Sequence, residues 1–197
     1  VDAGVPGAAN VYASYKNIPQ INARIDWDQA WGTVTLKAAT NRYELVDGAT
    51  AADVNGYDKT KQVWAAGAGL KLNLPQIAAG DVLWLDGGYA DGMTEYTINW
   101  GSFKSSDTKR NAGGFAFNPP SIVAYSTGLE IVKSWNVAGI FQHFFAPQWR
   151  GALMASYGAW KGTTTSKNQA WNGTSGFGDG KVWNVGGQIA FLPTKDF

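Results

Sequence analysis

Cysteine is absent from the 197 residues. That excludes disulfides, thiolate nucleophiles and the cysteine-rich zinc sites. Charge is scarce as well: Asp, Glu, Lys and Arg together make up 16%, against roughly 25% in an ordinary soluble domain. The charge present nearly cancels, 16 Lys and Arg against 15 Asp and Glu. The chain therefore offers no basic footprint for nucleic acid, and no nucleic-acid partner is expected. A single histidine leaves any acid–base triad one candidate. No stretch reaches the roughly 18 unbroken apolar residues of a membrane helix. That does not exclude a transmembrane barrel, whose strands alternate their faces and give a weak hydropathy signal. No signal peptide opens the chain, which reads as a mature form or an internal fragment.

Glycine and aromatic residues are plentiful, with 25 Gly, 10 Trp, 8 Tyr and 9 Phe. This suits an all-β protein with aromatic belts. Helical periodicity is nearly missing, whereas alternation with period 2 recurs. Gln20 to Asp28 places Ile21, Ala23, Ile25 and Trp27 on one face, and Asn22, Arg24 and Asp26 on the other. Trp31 to Asn41 alternates Val34, Leu36 and Ala38 with Thr33, Thr35 and Lys37. Gln62 to Leu74 sets Trp64, Ala66, Ala68, Leu70 and Leu72 against Gly67, Gly69 and Lys71. Val82 to Asp91, Ile131 to Phe145, Trp149 to Trp160 and Val182 to Leu192 follow the same rule. The pattern predicts seven long strands, close to the roughly 9–11 residues that a tilted strand needs to cross a bilayer. Val11, Ala13 and Tyr15 read as the tail of an earlier strand.

The connections alternate in length. Short ones lie near Asp28–Trp31, Pro75–Asp81 and Ala146–Gln148, and after Leu192; long ones run Arg42–Lys61, Gly92–Glu130 and Lys161–Lys181. Brief periplasmic turns opposite extended outer loops are the pattern of a transmembrane antiparallel up-and-down β-barrel. Trp27, Trp31, Trp135, Phe145, Trp149, Trp160 and Trp183 sit near strand ends, where indole and phenyl rings suit the boundary between hydrocarbon and headgroups. Inner positions rich in Gly, Ala, Thr and Asn are too small to fill a closed barrel of seven or eight strands. Residues 1–197 are therefore expected to form a single β-barrel domain that is an incomplete portion of a longer chain.

Three segments stand out in order: Asp28-Gln-Ala-Trp-Gly32, the run from Gly67 to Gly92, and the run from His143 to Gly158. Together they resemble the alphaproteobacterial general-porin family of the rhizobial type, loosely over residues 18–193. The resemblance implies a barrel of about 16 strands, a homotrimer in the bacterial outer membrane, and passage of small hydrophilic solutes and ions. It implies a chain longer at both ends. It also implies an inward-folded loop that narrows the channel, expected in the part preceding this segment.

On the residues themselves, the expected pore-lining side chains are Arg24, Asp26, Lys37, Lys71, Asp86, Arg150, Asn184 and Gln188. The six charged ones are four basic and two acidic, a mild preference for anions, since charge on a pore wall sets its ion preference. Other candidates fall away. His143 lies among aromatics with no nucleophile motif beside it. Asp53 to Asp58 begins like a calcium loop, but the closing Glu is replaced by Trp64, so no metal is expected. The glycine-rich run Gly176–Gly180 precedes a strand, so no helix N-terminus holds an anion there. Asn172-Gly-Thr174 is a glycosylation sequon without meaning in an outer membrane. Asp26 and Asp28 share a face, but Arg24 beside them keeps Asp26 ionised, which suits no general acid.

The reading is a passive diffusion channel, not an enzyme, with no cofactor and with outer-membrane lipid as its surroundings. The alternative is a soluble carbohydrate-binding β-sandwich of lectin-like type, supported by abundant Trp and by Asn in the loops. Against it stands an apolar face almost free of charge over seven strands, which would aggregate in water.

Overall fold

The computed structural model describes residues 11–15, 19–47, 60–98, 122–125, 128–164 and 178–193. Ten strands form in the order β1 Val11–Tyr15, β2 Ile21–Gln29, β3 Gly32–Asp47, β4 Thr60–Asn73, β5 Val82–Asp91, β6 Ile122–Tyr125, β7 Gly128–Ile131, β8 Lys133–Ala146, β9 Trp149–Lys161 and β10 Gly180–Phe191. A short 3-10 turn, Thr94–Tyr96, follows β5.

Eight strands make one antiparallel sheet, in which β1 and β2 both pair with β3 and the order continues β4-β5-β8-β9-β10. The sheet is open, with β1 and β2 along one edge and β10 at the other. The seven alternating segments are β2, β3, β4, β5, β8, β9 and β10, so the period-2 pattern does specify the elements. Their short turns lie at one end, the turn end. The strand ends that lead into the long connections lie at the other, the loop end.

The turns have local causes. Gly32 closes the β2–β3 turn at φ 152°, and a Cβ there would lie 1.8 Å from the Lys71 carbonyl oxygen. Only glycine fits that approach. Pro147 and Gln148 form the β8–β9 turn, where the register shifts between Phe144 and Ala146; proline presets the turn dihedral and ends pairing.

Four features differ from expectation. Val11–Tyr15 is not a separate earlier strand. It pairs with β3 from Val11↔Asp47 to Tyr15↔Tyr43, just beyond the Ile21↔Thr40 end of β2. β1 and β2 thus lie in line along one partner, with a register step between them. For the same reason β3 runs to Asp47 rather than ending at Asn41. β8 begins at Lys133, while Ile131 belongs to β7. Finally, the connection expected as a loop from Gly92 to Glu130 contains the 3-10 turn and the β6–β7 hairpin.

The core does not lie between two sheets. Ala39, Tyr43, Val63, Ala65, Ala90, Met93 and Leu129 form the buried cluster, with Ile131 against it. It sits at the loop end, on one face of the sheet, beneath the β5–β8 connection. A soluble sandwich needs a second sheet over most of the first, and among the described residues only the two-stranded β6–β7 sheet packs on the large one, at its loop end. The lectin-like reading is not favoured.

Candidate functional site

Cross-strand registers assign every side chain of the large sheet to one of two faces. The first holds rows such as Trp27–Val34–Leu70–Leu85–Gly139–Ala155–Val185 and Ile25–Leu36–Ala68–Gly87–Val137–Tyr157–Trp183. Its large apolar side chains are widely exposed: Ile25, Leu153, Trp183, Val185 and Ile189 each keep more than 60% of their surface.

The second face holds Arg24, Asp26, Lys37, Lys71, Asp86, Arg150, Asn184 and Gln188 together, as the strand pattern expects. Here the charges are organised. Arg24 Nε donates to both oxygens of Asp26 at 3.0 and 2.8 Å. Thr35 Oγ1 donates to the same carboxylate at 2.5 Å. Lys37 Nζ reaches Asp86 at 2.9 and 2.6 Å, although β4 lies between their strands. Gly67 and Gly69 make that span possible. A Cβ on Gly67 would come within 2.9 Å of Lys37 Cε, and one on Gly69 within 3.2 Å of Asp86 Oδ2. Glycine on the middle strand is what lets the lysine lie flat across the wall.

Pairing changes the charge reading. Asp28 also belongs to this face and accepts from Thr33 Oγ1 at 2.6 Å. With Lys61, which shares the face at the loop end of β4, the count is thus five basic and three acidic. Two of the basic groups are tied to carboxylates, while Lys71 and Arg150 have no ion pair among the described residues. Both ion pairs are exposed, so they add little to stability. Their consequence is the field on the wall rather than the hold on the fold.

Over this same polar face residues 92–98 fold inward. Gly92, at φ 82°, turns the chain; its N–H donates to the Val132 carbonyl at 3.0 Å. A Cβ at Gly92 would lie 2.3 Å from Val63 Cγ1. Met93 and Ile98 are then fully buried, each worth about 1.5–3 kcal/mol. That exceeds any polar contact the segment makes, so apolar burial anchors it. Tyr96 extends across the face to β2, where its hydroxyl donates to Asn22 Oδ1 at 2.7 Å and accepts from Gln20 Nε2. Thr97 Oγ1 hydrogen-bonds Ser134 on β8. Beneath Tyr96 remains a recess of about 310 Å³ against Asn22, Arg24, Lys37, Gly67 and Gly88. The loop end of the polar face is thus partly covered by residues 92–98, which strand alternation alone does not place there. The sequence signal was Gly92 followed by Met93 and Ile98, apolar residues in a stretch otherwise polar.

The aromatics form two groups on the apolar face. Near the turn end, Trp27 meets Trp31 edge-on at 6.1 Å and Trp149 meets Phe191 at 4.8 Å, and Phe145 meets His143 edge-on at 4.9 Å. Near the loop end, Trp64 packs on Tyr89 and Trp135 on Tyr157, both at 5.5 Å, and Trp183 is paired in register with Tyr157. Trp160 is the exception among the expected belt residues. It pairs with Ser134 and Gly180 on the polar face, and its Nε1 donates to the Gly178 carbonyl at 3.1 Å. The strand pattern already gives the reason, since an even position cannot share a face with Tyr157.

His143 has a structural partner that the sequence did not reveal. Its Nδ1 lies 2.6 Å from Asp81 Oδ2, and the Phe144 N–H donates to Asp81 Oδ1 at 2.9 Å. A carboxylate only accepts, so Nδ1 carries the proton. Burial of Asp81 pushes its carboxyl up. The hydrogen bonds from His143 and Phe144, with the imidazole charge, more than offset this and hold it below the ordinary carboxylate value. The pair fastens the β4–β5 turn to β8 and has no nucleophile beside it. The Asp53–Asp58 run, the sequon at Asn172 and Gly176 lie outside the described residues. No group of acidic or histidine side chains that could hold a metal occurs among the described residues.

Comparison with known proteins follows from this geometry. No curated protein matches the chain. Among solved structures, it is similar to the outer membrane channel DcaP of Acinetobacter baumannii, with a TM-score of 0.58 and 14% identity. The match covers 98% of this chain and 46% of that one, so the chain spans less than half the channel's length. At that identity the likeness speaks for the fold. The family assignment is direct: residues 3–197 match the family model described as Porin subfamily, and the chain belongs to that family.

Proposed function

We propose that this chain is part of the wall of a passive diffusion channel for small hydrophilic solutes and ions in the bacterial outer membrane. The observation that carries this is the division of one sheet into two solvents. One face exposes large apolar side chains over seven strands; the other carries ion pairs and an inward-folded segment. Lipid offers no hydrogen bonds, so a spanning sheet must pair every backbone group, which requires closure. The open edges at β2 and β10 therefore meet further strands, in a barrel of about 16 that is larger than this chain. Residues 1–197 belong to that single barrel domain, of the rhizobial type and assembled as a homotrimer.

In the barrel, Arg24, Asp26, Lys37, Lys71, Asp86, Arg150, Asn184 and Gln188 line the lumen. Solutes pass by size and charge between this wall and the inward-folded segment, with no cofactor and no chemical step. Trp27, Trp31, Trp135, Phe145, Trp149 and Trp183 stand at the two membrane boundaries, with the short turns periplasmic and the long loops outside.

The test is single-channel recording from the full-length parent protein in a planar bilayer. Stepwise ohmic openings in groups of three support a trimeric porin. A parent protein that gives no openings, and stays soluble and monomeric without detergent, overturns the proposal.

A further inference from the structure

At the loop end of β8, β9 and β10, the apolar face ends in lysines that solute passage does not use. The register sets Lys133 directly opposite Lys161 and places Lys181 opposite Ala159, diagonal to Lys161. Like charges directly across a strand pair are destabilising, so a bare cluster of this kind is costly without an anion to bridge it. Lys161 and Lys181 have no ion-pair partner among the described residues, and Lys133 has only Asp91, 3.8 Å away. The three lysines, with Tyr89, Trp135 and Ala159, surround an open hollow of about 720 Å³. Asp179 also borders it, with one carboxylate oxygen occupied by the Gly162 N–H at 2.9 Å.

The height of the cluster identifies its partner. Lys133 is two residues beyond Trp135, and Lys181 two residues beyond Trp183, on the same strands and the same face. Two residues of strand advance about 7 Å. The lysines thus stand just past the aromatic group, at headgroup depth, with flexible stems that can carry the ammonium groups to the surface. Farther along this end, the same face carries Arg42 and Glu44 on β3 and Gln62 on β4. In the lysine sector three ammonium groups stand against Asp91, opposite Lys133 in register, and Asp179 at the rim, an excess of positive charge.

We infer that Lys133, Lys161 and Lys181 bind the phosphate groups of an anionic outer-leaflet lipid, whose acyl chains descend over Trp135, Val137 and Tyr157. The inference rests on the outer-membrane reading and goes beyond it. It is tested with the full-length protein in detergent, titrated with bisphosphorylated lipid A, a neutral glycolipid of matching chains, or inorganic phosphate. Native mass spectrometry reads bound lipid, and thermal unfolding reads protection.

Saturable binding of lipid A alone is expected, weakened on the order of 10- to 100-fold in the variant Lys133→Gln/Lys161→Gln/Lys181→Gln. The single variant Lys161→Gln, in case the triple variant folds poorly, should lose about fivefold. Equal lipid binding by wild type and variants overturns the inference. So does protection by inorganic phosphate equal to that by lipid A, which would mark a site for free anions. So does a wild type that binds no lipid while the triple variant loses its oligomer, which would mark an interface between copies. Conductance separates the two readings: a conducting wild type without lipid binding removes this inference alone, whereas a silent wild type removes the channel.

Discussion

Leu85 and Asp86 are neighbours on β5 that face opposite ways. Leu85 lies in a row of Val34, Leu70, Gly139 and Ala155; Asp86 takes the Lys37 ammonium across a strand. The two faces share one backbone and one set of hydrogen bonds, and differ only in what touches them. On the apolar face large side chains are needed although nothing among the described residues covers them. On the polar face small residues are needed, because Lys37 and the inward-folded segment must lie flat against it. The contrast teaches that this sheet is held in place by two environments rather than by a core of its own.

The sharpest way to break the comparison is Leu85→Arg. A charge on the lipid face near mid-bilayer costs about 2–4 kcal/mol, enough to impair insertion, whereas Asp86→Asn next to it should insert normally. Folding into lipid vesicles, followed by heat-dependent migration on gels, measures both. Equal insertion of Leu85→Arg and wild type would mean that the β5 faces are reversed.

The next largest effect is expected at the loop end. Gly92→Ala places a methyl into Val63 and forces a side chain onto a positive φ, at a cost of order 1–3 kcal/mol. The sheet should still assemble, because Gly92 lies outside it. The inward-folded segment should loosen, and single-channel conductance should become larger and noisier. Unchanged conductance would show that this segment does not narrow the path.

The wall charges come third. Lys37→Ala leaves Asp86 unpaired and should shift the reversal potential toward cations; Asp86→Asn frees Lys37 and should shift it toward anions. Stability should change by less than about 1 kcal/mol in either case, since the pair is exposed. Shifts of the same sign in both variants would show that the pair does not set the field.

Much of the wall was legible because strand parity is a local property. The identity of alternate residues from Ile21 to Phe191 assigned both faces, and Trp160, expected among the boundary aromatics, falls on the polar face by that same rule. What the sequence could not show was pairing at a distance. Arg24 with Asp26 is visible two residues apart, but Lys37 with Asp86 requires the β3–β4–β5 register and the two glycines between. The inward segment was missed because Met93 and Ile98 are apolar without periodicity. The lysines at positions 133, 161 and 181 come together only once three strands are aligned. His143 and Asp81 meet for the same reason, 62 positions apart in sequence.

That last pair offers the smallest effect and a comparison between the two ends of the sheet. Asp81 lies in the β4–β5 turn with its carboxylate fully enclosed. Its acidity is strengthened in the folded protein: burial opposes ionisation, but the His143 and Phe144 hydrogen bonds outweigh it. A carboxyl held below its unfolded value, about 3.9, contributes stability that is present above that value and is lost as pH falls through the folded one. Wild type should therefore exceed Asp81→Asn in unfolding temperature near pH 6, and the gap should narrow as pH falls below about 4. A gap that persists undiminished below about pH 3 would show that the Asp81 carboxylate does not carry it. Conductance should be the same in both proteins at neutral pH, because the turn touches neither the ion pairs nor Tyr96. A turn end that sets stability without setting the channel, and a loop end that does the reverse, is the division of labour this variant can break.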